Sequence, residues 1–443
     1  MTSKTVVLRR AAPKGGGKYD GLVRPDGRIH RRLFTDPQIF EEEMSKIFGA
    51  TWVFLAHEGE LPKPNDFKTT TLGRRPVIVT RGSNGDLHAL LNRCTHRGSL
   101  VCIEHQGNAK QFQCPFHHWT FGNNGELLGL PYPKGQGPNF DRKANGLGKL
   151  PRLESYRGYI FGSLNPEVEP LVEWLGPARA ILDWSIDKEK IGSGGVTVVK
   201  GTHHTVNGNW KLQYENVSDG YHAAFLHRSM VEMTKQRHGP GRGLEHWRAG
   251  DRSPMYDQYL GRGHKFMDQR PSNPSPWQSA RPVPGREAFS TALIGRLGEA
   301  GAADQLELSA RAYINLTLYP NLFIMGHGQY AVYEPVAVDC TNIKFYTVIP
   351  DSLPEEVKRL RVRFVEDFNT MGLPDDNEAL ERIQESLTTI PEMEWLNYER
   401  GLATEKVGED GVITGSAMEE TSQRRTYSHW QTLMNREVRL QVA

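Results

Sequence analysis

Four residues in two short loops have the types and spacing to hold a metal cluster. Cys94-Thr95-His96 is followed, after 17 intervening residues, by Cys114-Pro115-Phe116-His117, which gives C-x-H and then C-x2-H. Two loops that each offer one thiolate and one imidazole supply the ligands of a two-iron, two-sulfide centre with cysteines on one iron and histidines on the other. Imidazole ligation raises the potential of such a centre above that of an all-cysteine cluster. The same donors would also suit a structural Zn2+. Zinc fingers usually pair Cys with Cys and His with His, whereas each loop here mixes the two, and the mixing favours the cluster. Cys102 and Cys340 lie outside the pattern and read as buried free thiols. His118, beside a ligand set already filled, reads as a packing or hydrogen-bonding neighbour.

A second group lies downstream. In Asn209 to His227 two histidines, His222 and His227, follow a run of acids and amides that includes Glu215, Asn216 and Asp219. A non-heme Fe(II) that activates O2 is typically held on one face by two histidines and a carboxylate, with open positions for oxygen and substrate. Residues five apart on a regular helix point roughly 140° apart, so the two rings converge only through a π-type bulge or a helix break between them. Two such histidines alone would be ordinary packing residues, and the cluster motif upstream in the same chain is what reverses that reading. Asp219, three residues before His222, could conduct an electron to the ligand imidazole or fix its tautomer by a hydrogen bond.

The elements that must position these residues are legible in outline. Thr35-Asp36-Pro37 opens a helical segment with Ile39, Phe40, Met44, Ile47 and Phe48 at helical spacing. From Trp52 to about Leu164 the pattern is short β runs broken by Gly, Asn, Asp and Pro clusters, among them Gly82-Ser83-Asn84-Gly85 and Gly122-Asn123-Asn124-Gly125. This argues a compact antiparallel domain holding both cluster loops. Past Pro166 a strand (Val196 to Lys200) and a helical segment (Trp210 to Met230) precede Lys235 to Asn273, which reads as a loop-rich, mobile lid or pocket entrance. Strands return at Ala312 to Leu318, Leu322 to Met325, Tyr330 to Pro335 and Ile343 to Ile349. Helices opened by Pro354-Glu355-Glu356 and Pro374-Asp375-Asp376 follow. The expected fold is α+β in three parts. Residues 1–50 form a helical segment packing on the catalytic domain, 51–165 the antiparallel β cluster domain, and 166–443 a mixed catalytic domain with an antiparallel sheet flanked by helices.

Composition narrows the partners. In 443 residues, 54 Lys and Arg against 52 Asp and Glu give no global field for nucleic acid or an anionic membrane. The first 32 residues carry nine Lys/Arg against two acids, and read as a solvated or subunit-contacting arm. Without a long apolar run, the protein is expected in the cytoplasm. Four cysteines are too few for a disulfide framework at this length.

With both motifs described, the sequence resembles the α-subunits of Rieske aromatic-ring-hydroxylating dioxygenases, and is most similar to the benzoate, toluate and anthranilate group. The resemblance spans nearly the whole chain. Cys94/His96, Cys114/His117, the strand Ser155 to Leu164 and the Asn209 to His227 block share the family's order and spacing. It implies a Rieske [2Fe-2S] cluster on those four residues and a mononuclear Fe(II) on His222, His227 and a late aspartate. In the family that aspartate lies eight residues before a Gln, which picks Asp376 before Gln384, with Asp375 as the alternative. The resemblance also implies electrons from a separate NAD(P)H-dependent flavin and iron-sulfur reductase, and an α3 or α3β3 assembly. The electron would cross from His117 of one subunit through Asp219 of the next to His222.

The Asn216 to Asp219 spacing follows the benzoate type, one residue shorter than in naphthalene-type members, and points away from polycyclic substrates. Between Met230 and Arg311 the resemblance offers no motif that can be placed. The expected reaction is hydroxylation of an aromatic ring with O2, on an aromatic carboxylate such as a benzoate, salicylate or anthranilate. Asn216 and Arg424 are the candidate substrate contacts, the latter to receive the carboxylate. A Rieske monooxygenase or demethylase is the rival within the enzyme class. An electron-transfer or zinc-stabilised binding protein is the rival outside it.

Overall fold

A computed structural model describes residues 4–7, 16–187, 194–238, 255–269, 286–310 and 314–443. Its contacts divide the chain into two compact units. Glu41–Trp174 and Arg436–Ala443 belong to the first, with the strand Lys4–Val7, which pairs antiparallel with Arg439–Val442. Residues 16–40 and 175–435 belong to the second. The last eight residues thus join the cluster unit, across the length of the chain from where a linear division places them.

The first unit is built of antiparallel sheets. Leu87–Leu91, Arg75–Arg81, Asp66–Leu72 and Gln106–Asn108 form one, Leu127–Gly129, Thr120–Gly122 and Gln111–Gln113 a second, and Arg152–Tyr156, Tyr159–Ser163 and Val53–His57 a third. Short strands bounded by tight turns explain the pattern. In the turn Gly122 to Gly125, Gly122 N donates to Glu126 O at 2.8 Å and Gly125 has φ +87°. A Cβ at Gly125 would meet the Leu90 side chain at 2.8 Å, so conformation and space both call for glycine there. Phe67, Ile78, Leu90, Phe112, Trp119 and Phe121 make the core, which also takes in Cys94 and Cys114.

The second unit centres on a nine-stranded sheet in the order Val196–Val206, Cys340–Pro350, Gln329–Ala337, Leu322–Met325, Ile314–Leu318, Lys265–Asp268, Tyr256–Tyr259, Ile413–Ser416 and Lys406–Val407. Every pairing in it is antiparallel. Two of these strands correct the sequence reading of Lys235 to Asn273 as loop. Tyr256–Tyr259 and Lys265–Asp268 are interior strands, and Asp257 and Lys265 within them are fully buried. Charged residues facing inward erase the apolar alternation by which a strand is recognised. The rest of that stretch, 239–254 and 270–273, lies outside the described residues, as does the pocket entrance proposed for it. The helix Arg286–Ala310 was also not anticipated.

Three helical pieces, Trp210–Asn216, Gly220–Leu226 and Arg228–His238, occupy the block around the two histidines. The helix Leu373–Thr389 buries Leu373, Asp376, Leu380 and Gln384, one stripe at helical period. Gln384 ties the two regions together. Its Oε1 accepts from Asn209 N at 3.0 Å, and its Nε2 donates to Phe34 O at 3.2 Å. Asn209 in turn caps Trp210–Asn216 by accepting from Lys211 N at 3.1 Å.

Candidate metal centres

The cluster loops are conformational copies of each other. In each, the cysteine carbonyl accepts from the N–H four residues on, Gly98 at 2.9 Å and His118 at 2.9 Å, and both of those residues are left-handed, with φ +83° and +53°. In each, the cysteine N–H donates to the carbonyl five residues on, Ser99 or Trp119, at 2.8 Å. The second loop places an imidazole in the left-handed position, which accounts for His118 as a turn residue. Both thiols are buried and lie within hydrogen-bonding reach of each other. The rings of His96 and His117 are 4.6 Å apart, and His96 stacks on Trp119 at 4.9 Å.

Burial pushes the Cys94 thiol up. For Cys114 burial acts the same way but is outweighed by the N–H groups of Phe116 and His117, which donate to its sulfur and hold it down. Thiols together, imidazoles together and amides aimed at sulfur fit a cluster with both cysteines on one iron and both histidines on the other. Cys102, by contrast, is buried with Glu104 3.3 Å from its sulfur, and burial with that carboxylate pushes its thiol to about 12. It is an inert thiol. Cys340 is half-buried.

In the second unit His222, His227 and Asp376 converge, each offering one ligand atom, with those atoms within 4.8 Å of one another. The turn that allows this is a helix break. Gly220–Leu226 ends with His227 as its C-cap at φ −90° and ψ 27°, and a new helix starts at Arg228. The two rings lie at a centroid distance of 5.3 Å. Asp376 Oδ1 lies 3.5 Å from His222 Nε2 and 3.2 Å from His227 Nε2. It is buried, yet no hydrogen bond of good geometry satisfies it. An orphaned carboxylate oxygen between two Nε2 atoms fits an Fe(II) held by two imidazoles and one carboxylate.

Each imidazole is backed by a second carboxylate. His222 Nδ1 is 3.3 Å from Asp219 Oδ2, and His227 Nδ1 is 3.4 Å from Asp375 Oδ2. Asp375 therefore stands behind the His227 ring, while Asp376 is the carboxylate placed between the two Nε2 atoms. Burial alone would pull the His222 imidazole down, but Asp219 and Asp376 outweigh it and lift it to about 10 in the metal-free chain. Burial likewise pushes Asp376 up, and the two imidazoles hold it at about 2. Gly220 admits no side chain, since a Cβ would come within 2.7 Å of Ala417 O, the acceptor of its own N–H.

Of the two proposed substrate contacts, Arg424 is corrected by the structure. It is buried, with Nη2 2.5 Å from Glu405 Oε1 and Nη1 donating to the carbonyls of Tyr398 and Arg400 at 2.7 and 2.5 Å. A guanidinium so saturated has no donors left for a substrate. The helical period of Thr421–Asn435, which turns Arg424 inward, decides this. Asn216 is half-buried at the end of its helix, where its carbonyl accepts from Asp219 N at 3.1 Å. Sequence reasoning missed the outer role of Asp375, and also Tyr333, a buried phenol close enough to Asp376 to feel its charge.

Comparison with known proteins agrees with this geometry. Residues 51–155 match the Rieske [2Fe-2S] domain, and residues 193–436 the ring hydroxylating alpha subunit (catalytic domain). The 2-halobenzoate 1,2-dioxygenase large subunit of Burkholderia cepacia is 35% identical over 90% of this chain and 88% of its own. The toluate 1,2-dioxygenase subunit alpha of Pseudomonas putida is 36% identical over 83% and 81%. The anthranilate 1,2-dioxygenase large subunit of Acinetobacter baylyi is 33% identical over 92% and 89%. Among solved structures, naphthalene 1,2-dioxygenase with indole bound aligns at TM-score 0.78 and 27% identity over 94% of both chains. On two matched domains and these relatives, the chain belongs to the Rieske-type ring-hydroxylating oxygenase alpha subunits, oxidoreductases that carry a [2Fe-2S] cluster and a mononuclear iron.

Proposed function

We propose that this chain is the terminal oxygenase of a system that hydroxylates an aromatic carboxylate, with Cys94, His96, Cys114 and His117 holding the cluster and His222, His227 and Asp376 holding the iron. The convergence of those last three side chains on one point carries the proposal. The carboxylate on the substrate is supported by the halobenzoate, toluate and anthranilate dioxygenases among the relatives. When loaded, the iron supplies O2 activation at open coordination positions.

The chain's own residues do the rest. Asp219 and Asp375 hold the two imidazoles in one tautomer and orientation, with Nε2 turned to the metal. Asp219 is the link through which an electron enters, in this proposal from His117 of a neighbouring protomer in a trimer. Electrons come from an NAD(P)H-dependent reductase, with or without a small subunit alongside. No helix among the described residues is long and apolar enough to cross a membrane.

The decisive experiment is a single-turnover assay of reduced, iron-loaded enzyme with benzoate, salicylate, anthranilate and phthalate under labelled oxygen, scored by product mass. Two labelled atoms in the product identify a dioxygenase and one a monooxygenase. No product from any ring acid would end the carboxylate reading.

A further inference from the structure

Whichever way the oxygen atoms divide, reducing one O2 takes up two electrons and two protons. The O–O bond breaks, C–O bonds form, and each oxygen leaves as a hydroxyl or as water. The reductase supplies the electrons. Protons must reach a centre buried in protein, and the residues that hold the metal are not free to give them.

Behind the turn that carries Asp219 lies a group of buried ionisable residues with no part in metal binding. Both oxygens of Glu215 are 3.0 Å from Tyr398 Oη, and Tyr427 also donates to Oε2. Lys265 Nζ is buried with Tyr214 O at 2.7 Å and the Tyr214 ring at 4.3 Å. Asp257 accepts from Ser422 N at 2.9 Å through Oδ2, while its Oδ1 is buried with no hydrogen-bond partner. A neutral carboxylic acid tolerates such a position far better than a carboxylate. Ser422 Oγ is 3.4 Å from Ser218 Oγ, on the residue next to Asp219.

We propose that Glu215 and Asp257, grouped around Lys265, store a proton behind the Asp219–His222 link and release it to the oxygen chemistry at the His222, His227 and Asp376 site. Charge counting leads there. The acids are Glu215, Asp257 and Asp219, with Glu420 also facing Asp219. The cations are Lys265 and Lys211, the latter lining a small cavity with Glu215 and lying over the rings of Trp210 and Phe34. Glu420 is itself faced by Arg400 and Arg424, and the remaining three acids against two lysines leave an excess that a buried site sheds by binding a proton. Burial pushes Asp257 up and lifts Glu215 to about 7, against the tyrosine hydroxyls, which hold it down. The store is therefore full below about pH 7 and empties as pH rises through it.

This inference needs ring hydroxylation but not a carboxylate on the substrate. Its first test needs no substrate at all. Infrared titration of iron-loaded enzyme should show the C=O band of a protonated carboxyl at pH 6 that fades through about pH 7 and is diminished in Glu215→Gln and in Asp257→Asn. The second test uses whichever ring compound the enzyme turns over. Glu215→Gln should slow product formation roughly tenfold or more and lose the fall in rate above pH 7, with KM and iron content unchanged. Tyr427→Phe, which removes a donor to the carboxylate, should move that fall to higher pH. Three results would overturn the proposal: no protonated carboxyl at pH 6, wild-type rate and pH profile in both acid variants, or a rate loss that only follows loss of iron.

Discussion

One carboxylate serves two purposes in this enzyme: Asp219 Oδ1 caps the helix Gly220–Leu226, accepting from Tyr221 N at 2.7 Å and His222 N at 3.3 Å, while Oδ2 faces His222 Nδ1 at 3.3 Å. The helix start and the ligand ring are thereby fixed by the same side chain. The two purposes can be separated experimentally. Asp219→Asn keeps a good cap but removes the charge, and is expected to retain both metals while turnover falls by roughly 100-fold. Asp219→Ala should lose the same activity and in addition about 1 kcal/mol of stability. Metal analysis and cluster oxidation in single turnover check both, and full activity in either variant refutes the link.

Asp375 stands behind His227, so Asp375→Ala should weaken iron binding by roughly 10- to 100-fold without abolishing it. Asp376→Ala removes the proposed carboxylate ligand and should leave the mononuclear site without iron while the cluster stays. Iron counts with the cluster's visible spectrum separate the two; equal losses would contradict the assignment.

Iron uptake should release a proton. In the metal-free chain His222 is lifted to about 10, so at pH 7 its imidazole carries a proton that metal must displace. About one proton per Fe(II) should appear in weakly buffered solution at pH 7, and affinity should rise with pH towards 10. The folded value lies above the unfolded one, so the stability this group lends the metal-free chain is full below about pH 6.5 and lost as pH rises through 10. Iron uptake without proton release would show the ring already neutral.

Arg424→Ala leaves Glu405 short of one partner and strips a donor from the carbonyls of Tyr398 and Arg400. Removing one member of a buried pair costs roughly 3–5 kcal/mol. Urea unfolding should show that loss, whereas KM for an aromatic acid stays unchanged in whatever folded enzyme remains. A raised KM with unchanged stability would return Arg424 to the substrate.

The sequence by itself pointed to the chemistry. Mixed Cys/His loops and two histidines five apart are local spacings, and the resemblance to the family added the aspartate eight before Gln384. The spacing even required a break between His222 and His227, because helix period is a local property. Only the tertiary structure could decide what lies behind the ligands. Asp375 and Asp376 are neighbours in sequence with the same functional group, and the buried stripe of Leu373–Thr389 decides that Asp376 faces the imidazoles while Asp375 reaches round to His227. Arg424 likewise meets Glu405 because a helix turns it inward. Asp257 and Lys265 were illegible, since charges buried in interior strands resemble loop residues until the partners that make burial tolerable are brought together from distant parts of the chain.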